Sequence, residues 1–250
     1  MATDIGIYFT AGYPNLNSTL PILRGLSASK VNFIEVGVPF SDPLADGPVI
    51  QESSKMALEN GITLSRIFDD LALFVKEEPQ HPTLLLMGYL NSFLSYGMEK
   101  ALVRCKEIGV SGLILPDMPY DYYNKHYKQL FLSKGVKPVF LISPDSEKTY
   151  IDELAKDDLA FIYVLSQNAT TGKEVDFISN TKAYFEACKK LESKAPKYLG
   201  FGISSAKDVA EVEEYFDGVI IGSAFIRALN GVVEGDLMAV CQGFVEAVRK

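Results

Sequence analysis

A closed (β/α)8 barrel is the fold that this 250-residue chain predicts, and three observations point to it. Short, almost continuously apolar runs alternate with longer amphipathic stretches from end to end, as expected of parallel strands covered on both faces by helices. Eight such pairs within about 250 residues match the size and order of that barrel. The first run leads into TAGYPNLN rather than the glycine-rich phosphate fingerprint that a doubly wound open sheet usually carries there. With no linker or low-complexity segment, residues 1–250 read as one domain with one sizeable core.

The elements follow in order. Residues 5–10 are the first strand, followed by a helical stretch at 16–29. The second strand, 33–37, runs into a long Pro- and Gly-rich connection before a helix at 64–76. Strands at 83–88, 112–116 and 138–142 precede helices at 98–108, 122–133 and 147–155. The sixth strand, 161–165, opens a second long connection, rich in Gly, Asn and Thr, before a helix at 177–191. The seventh, 198–202, is followed by the clearest helix, 206–215, with Ser204 or Ser205 as N-cap and Val209, Val212 and Phe216 at helical spacing. The eighth, 218–221, opens a short helix at once, and 237–248 completes the set. Loops after strands line the catalytic face of such a barrel, so the two long connections mark where chemistry belongs.

Composition narrows the partners. Lys and Arg total 24 against 32 Asp and Glu, a net charge of −8, which argues against a nucleic acid or a membrane surface. Cys105, Cys188 and Cys241 are isolated and odd in number, which fits a reducing compartment without disulfides. Two histidines, His81 and His126, and no CxxC pair argue against a zinc site. MATDIGIYF lacks the features of a signal peptide, and no apolar run reaches the roughly 18 residues of a membrane span. The expectation is a soluble, cytoplasmic protein.

Glycines mark the last two strand ends. YLGFGISSA carries Gly200 and Gly202 and offers Ser204 and Ser205 at a helix start, while GVIIGSAFIRAL places Gly222 and Ser223 where a short helix begins. Helix N-termini bind phosphate, and barrels often hold one after strands seven and eight. Each glycine alone could serve a tight turn; the two sites together predict a phosphorylated substrate.

Glu35 lies among Val31, Phe33, Ile34 and Val36, a run that must be largely buried. A buried carboxylate is hydrogen-bonded, ion-paired or functional, and the predicted strands supply almost no Lys or Arg as a partner. Desolvation would bring its pKa toward neutrality, as a general acid and base requires. Asp42 (in SDP) and Asp46 (in ADG) are candidates too, although Asp before Gly or Pro is also the ordinary composition of a turn.

The stretch EVGVPFSDPLADGPVIQ (35–51) resembles the signature of the tryptophan synthase α chain family. FTAGYP (9–14), MGYLN (87–91), PDMP (116–119), FIYVLS (161–166), GFGIS (200–204) and IGSA (221–224) extend the resemblance, in family order, over nearly the whole chain. The resemblance implies a TIM barrel that cleaves indole-3-glycerol phosphate to indole and glyceraldehyde 3-phosphate, with no metal or organic cofactor. It places the catalytic pair on Glu35 and Asp46 and the phosphate loop on Gly172, Gly202, Gly222 and Ser223. Tyr8, Met87, Tyr89, Leu141, Tyr163 and Thr171 fall on the indole pocket and lid. Pro39 and Asp42 fall on the surface facing a β chain in an α2β2 heterotetramer, where pyridoxal phosphate is expected only on the β chain.

Two departures from the family pattern stand out. Members begin with an extra N-terminal helix, which is largely missing here, since four residues precede Ile5. Members also read close to SRAGVTG after the sixth strand, where this chain reads SQNATTG (166–172), with Gln167 and Ala169 at the changed positions. An alanine where glycine is usual restricts the backbone at a cost on the order of 1 kcal/mol if φ is positive. The departure leaves an alternative open: a catalytically weak barrel kept mainly to activate its β chain. An unrelated phosphosugar isomerase or aldolase is disfavoured, because no predicted strand ends on a Schiff-base lysine.

Overall fold

The apolar runs form eight parallel strands that close on themselves in chain order. The computed structural model describes residues 3–166 and 182–250. The first half runs β1 (Asp4–Thr10), α1 (Thr19–Ala28), β2 (Phe33–Gly37), α2 (Pro48–Glu59), α3 (Leu64–Glu77), β3 (Thr83–Met87), α4 (Leu90–Tyr96), α5 (Met98–Ile108) and β4 (Gly112–Ile114). The second half runs α6 (Tyr120–His126), α7 (Lys128–Lys134), β5 (Lys137–Ile142), α8 (Lys148–Leu154), β6 (Ile162–Leu165) and α9 (Lys182–Lys190). It ends with β7 (Lys197–Gly200), α10 (Ala206–Val212), β8 (Gly218–Ile221), α11 (Ser223–Leu229) and α12 (Leu237–Arg249).

The barrel expectation holds, and the eight strands fall where the apolar runs placed them. The differences lie among the helices. Pro48 opens α2 from a Gly47 N-cap, a position where the missing N–H of proline costs nothing, so the Pro/Gly connection is shorter than its composition suggested. The single helix expected at 122–133 is two, because Tyr127 sits at φ −125° and breaks it. Lys128, the first residue of α7, pairs with Asp157 at 2.8 Å, and Tyr120 donates to the same carboxylate at 2.7 Å. The helix expected at 177–191 is seen as Lys182–Lys190, and its first residues lie outside the described ones.

Register fixes what faces the barrel interior. Tyr8 of β1 pairs with Glu35 of β2, which pairs with Leu85 of β3. Below this layer Phe33, Phe161 and Tyr198 pack ring to ring, with centroids 4.9 to 5.9 Å apart. Such pairs contribute about 0.5–1.5 kcal/mol beyond their buried area. Gly6 makes room for them: a Cβ there would overlap the Phe33 ring. These rings close the barrel interior from below and separate the cavity at the C-terminal ends of the strands from a second one at the N-terminal end, which Phe33, Phe161 and Tyr198 also line. The three cysteines are buried and free.

Candidate active site

Glu35 sits in the middle of β2 with no exposed surface. Tyr8 flanks it from β1, and Tyr163 reaches toward it from β6, across the barrel. Both phenols need space that glycine supplies. A Cβ at Gly37 would overlap the Tyr8 hydroxyl, and one at Gly200 the Tyr163 hydroxyl. The Thr10 hydroxyl lies 2.6 Å from that of Ser53, which donates to the Ile50 carbonyl, and this joins the end of β1 to α2.

Asp46 enters the same space from the connection between β2 and α2. Its Oδ2 accepts the Tyr89 hydroxyl at 3.1 Å, and that hydroxyl accepts the Ala45 N–H at 2.9 Å. Gln51 donates to the Asp46 carbonyl at 2.8 Å, and Phe40 stacks on Tyr89 at 4.9 Å. The acid is held by backbone, side-chain and ring contacts at once, which sets it apart from an ordinary turn aspartate.

The two carboxyls differ electrostatically. Neither oxygen of Glu35 has a hydrogen-bond partner among the described residues. Burial, with the Asp46 charge second, pushes its pKa from 4.5 up to about 8. The alternative of a Glu35 neutralised by a strand lysine or arginine is thereby removed. Burial also raises Asp46, but the Tyr89 hydrogen bond opposes the rise and leaves it at about 6. The Tyr8 and Tyr163 phenols are pushed well above their usual range by burial, with Asp46 and Glu35 respectively the next causes, so both stay protonated donors.

The facing wall comes from the last two strand ends. Gly202, Ile203 and Ser204 follow β7, and Gly222, Ser223 and Ala224 lead into α11. Gly202 has φ +87°, which an L side chain rarely adopts. Phe201, at φ +69°, is a bulky residue in that same region, a strain of the kind found at ligand sites, and it lines the cavity. The start of α10 departs from the expectation that Ser204 and Ser205 are free donors. Asp208 accepts the Ser204 and Ser205 amides and the Ser204 hydroxyl at 2.8 to 2.9 Å, and Ser205 Oγ caps Asp208 in return. Those donors are occupied, which leaves Gly202, Gly222 and Ser223 as the open backbone.

Between the walls lies a cavity of about 180 Å³, smaller than the roughly 300–1,000 Å³ of many ligand sites. Glu35, Asp46, Tyr8, Met87, Tyr163, Gly202, Gly222 and Ser223 all line it, so residues far apart in sequence converge as expected. Tyr89 acts from behind, on Asp46, and Leu141 stands beside Tyr163 on β5, neither of them in the cavity wall. Ile50, Phe201, Ile203 and Arg227 line it without having been singled out. Arg227 could have been found: it lies four residues after Ser223, on the same face of α11. Gln167, Ala169, Thr171 and Gly172 lie outside the described residues.

Pro39 is buried within the chain, whereas Asp42 is exposed and accepts the Ser41 hydroxyl at 2.7 Å. Two residues on, Leu44 is 88% exposed, an isolated apolar side chain at the loop tip. Among the described residues no group of three or more His, Cys, Asp or Glu could hold a metal ion, and no helix is long and apolar enough to cross a membrane.

Comparison with known proteins agrees with this geometry. The family model for the tryptophan synthase alpha chain matches residues 4–246. The alpha chain of Flavobacterium psychrophilum is 44% identical over 230 residues, covering 91% of this chain and 90% of its own. That of Christiangramia forsetii is 43% identical over 226 residues, covering 90% and 88%. Among solved structures, the tryptophan synthase subunit alpha of Legionella pneumophila superposes with a TM-score of 0.86 at 27% identity, covering 99% of this chain and 91% of that one. The tryptophan synthase complex of Pyrococcus furiosus includes a chain that superposes at 0.85, with 27% identity and coverage of 98% and 97%.

Proposed function

The chain belongs to the tryptophan synthase alpha chain family, and on that premise we propose how its own residues carry the reaction. The activity is a lyase reaction of tryptophan biosynthesis: retro-aldol cleavage of indole-3-glycerol phosphate to indole and glyceraldehyde 3-phosphate. Cleavage requires a proton on indole C3 and the loss of a proton from the glycerol hydroxyl on the adjoining carbon.

Glu35, with its pKa near 8, is mostly protonated at neutral pH and starts as the acid. It donates its proton to indole C3, which leaves a cationic indoleninium ring. The resulting carboxylate takes the proton of the adjoining hydroxyl as the carbon–carbon bond breaks. The bonding electrons restore the aromatic ring, the oxygen becomes the aldehyde, and Glu35 is protonated again, so no net proton is consumed. Asp46, at about 6, is mostly ionised over the same range and accepts the indole N–H, stabilising the positive charge as it develops. Met87, Tyr8 and Tyr163 supply apolar walls for the ring. The open backbone at Gly202, Gly222 and Ser223 receives the phosphate, with Gly172 and Thr171 assigned by resemblance alone.

The observation that carries this assignment is the separation of two neighbouring buried carboxyls, one raised to about 8 and the other to about 6. Steady-state indole release by wild type, Glu35→Gln and Asp46→Asn tests it: both variants should lose at least about a hundredfold in rate. Wild-type rates in either variant would overturn that residue's role.

No cofactor is required of this chain by such a mechanism, and pyridoxal phosphate belongs to the β chain. The family works with a β chain, and the Pyrococcus furiosus relative was solved as a tryptophan synthase complex. An α2β2 heterotetramer follows for this chain, with the loop carrying Asp42 and the exposed Leu44 directed at its partner. No described residue favours a barrel kept mainly as an activator.

A further inference from the structure

The chain has five arginines, and four of them are engaged. Arg24 pairs with Glu77, Arg66 with Asp70, and Arg104 with Asp69 and Glu107, while Arg249 donates to the Ser29 and Lys30 carbonyls. The Arg227 side chain has no hydrogen bond, ion pair or ring contact among the described residues, yet it lines the cavity. It is the only basic side chain among the described residues that does.

Its position on α11 directs it. A helical side chain leans toward the N-terminus and covers the turn before its own Cα, so Arg227 covers the turn that begins at Ser223. That turn belongs to the wall assigned above to the phosphate. The surroundings are otherwise short of positive charge. Asp46 is largely anionic at neutral pH, and Asp208 has filled the start of α10 with a carboxylate held by the Ser204 and Ser205 amides. A dianionic phosphate brought to Gly202, Gly222 and Ser223 would therefore face backbone dipoles, with the Asp208 carboxylate held two residues along from Gly202 at the Ser204 amide. A solvated arginine in the last turn of a helix is the plainer account of Arg227, and it predicts no effect on ligand binding.

We propose that Arg227 is a specificity-determining residue of this site: its guanidinium contacts the substrate phosphate and selects phosphorylated over unphosphorylated ligands. The inference rests on the phosphate assignment made above and adds a charged partner to it. A guanidinium matches two phosphate oxygens at once, and charge-assisted hydrogen bonds of this kind are about twice as strong as neutral ones.

Calorimetric titration of glycerol 3-phosphate, and separately of indole, into wild type, Arg227→Met and Arg227→Lys decides the matter, with steady-state lyase kinetics alongside. In Arg227→Met the affinity for glycerol 3-phosphate should fall about tenfold, and the KM for indole-3-glycerol phosphate should rise by a similar factor with kcat within about twofold. Arg227→Lys should recover part of the loss, and wild type should lose affinity with added salt more steeply than Arg227→Met. Indole binding should be the same in all three. Wild-type affinity for glycerol 3-phosphate in Arg227→Met would overturn the inference while leaving the backbone phosphate site standing. A parallel loss of indole binding would mark Arg227 as structural and also overturn it. A wild type that binds no glycerol 3-phosphate would overturn both the phosphate assignment and this inference.

Discussion

Tyr89 donates its hydroxyl to Asp46 at 3.1 Å, and this hydrogen bond, together with the deeper burial of Glu35 and the Asp46 charge beside it, sets the two buried carboxyls of the cavity apart. It favours the ionised form of Asp46 and holds it near 6, whereas Glu35, with no described partner, rises to about 8. One group is thus kept as the anion and the other as the acid, although both are buried in the same space.

A bell-shaped pH profile follows. Lyase kcat should fall below about pH 6 as Asp46 protonates and above about pH 8 as Glu35 ionises. Asp46→Asn should abolish the acid limb of whatever activity remains. A flat profile from pH 5 to pH 9 would contradict the assignment of both groups.

Removing the separating hydrogen bond should shift one limb only. In Tyr89→Phe the Asp46 pKa rises, since the bond that lowers it is gone, so the acid limb moves to higher pH while the alkaline limb stays. Activity should drop more at pH 6.5 than at pH 8, about severalfold. An unmoved acid limb would show that Tyr89 only pins the loop through Ala45.

Glu35 should also burden the fold. Its folded pKa lies above its unfolded one, so the protonated form is favoured in the native state. Its contribution to stability is full below about pH 4.5 and is lost as pH rises toward about 8. Glu35→Gln should therefore unfold at higher denaturant than wild type, with an advantage that grows from pH 5 to pH 8 and reaches a few kcal/mol. An advantage independent of pH would mean that Glu35 does not titrate in that window.

Gly222→Asp should place a negative charge on the wall that receives phosphate. Loss of glycerol 3-phosphate binding is expected, by about tenfold or more, with circular dichroism unchanged. A Cβ at that position lies 3.3 Å from the Tyr8 ring, so Gly222→Ala is the control and should cost much less. Equal affinity in Gly222→Asp and wild type would remove the residue from the site.

The loop tip should matter to the partner and not to the barrel. Leu44→Ser and Asp42→Ala should leave the chain's own stability within about 0.5 kcal/mol, because both side chains are exposed. Stimulation of β-chain tryptophan synthesis by this protein should fall in both. Undiminished stimulation would place the interface elsewhere.

Continuous apolar runs at regular intervals determined the barrel by themselves, because burial on both faces of a parallel sheet is written residue by residue along each strand. Glu35 was legible for the same reason, a lone acid in a run that had to be buried. Gly202 and Gly222 could be read at strand ends, where backbone demands are local. What local pattern could not carry is which side chains meet once the sheet closes. The Tyr89 hydroxyl on Asp46 joins residues 43 apart in sequence. The space that Gly37 leaves for Tyr8, and Gly200 for Tyr163, exists only because register puts each glycine on the adjacent strand, two residues beyond the tyrosine's own partner. Arg227 joins a cavity whose other walls come from β1, β2, β3 and β6 because α11 packs against β1 and α2. Propensity and periodicity act over a few residues, whereas charge separation and ligand geometry depend on contacts across the closed barrel, and only the tertiary structure decides those.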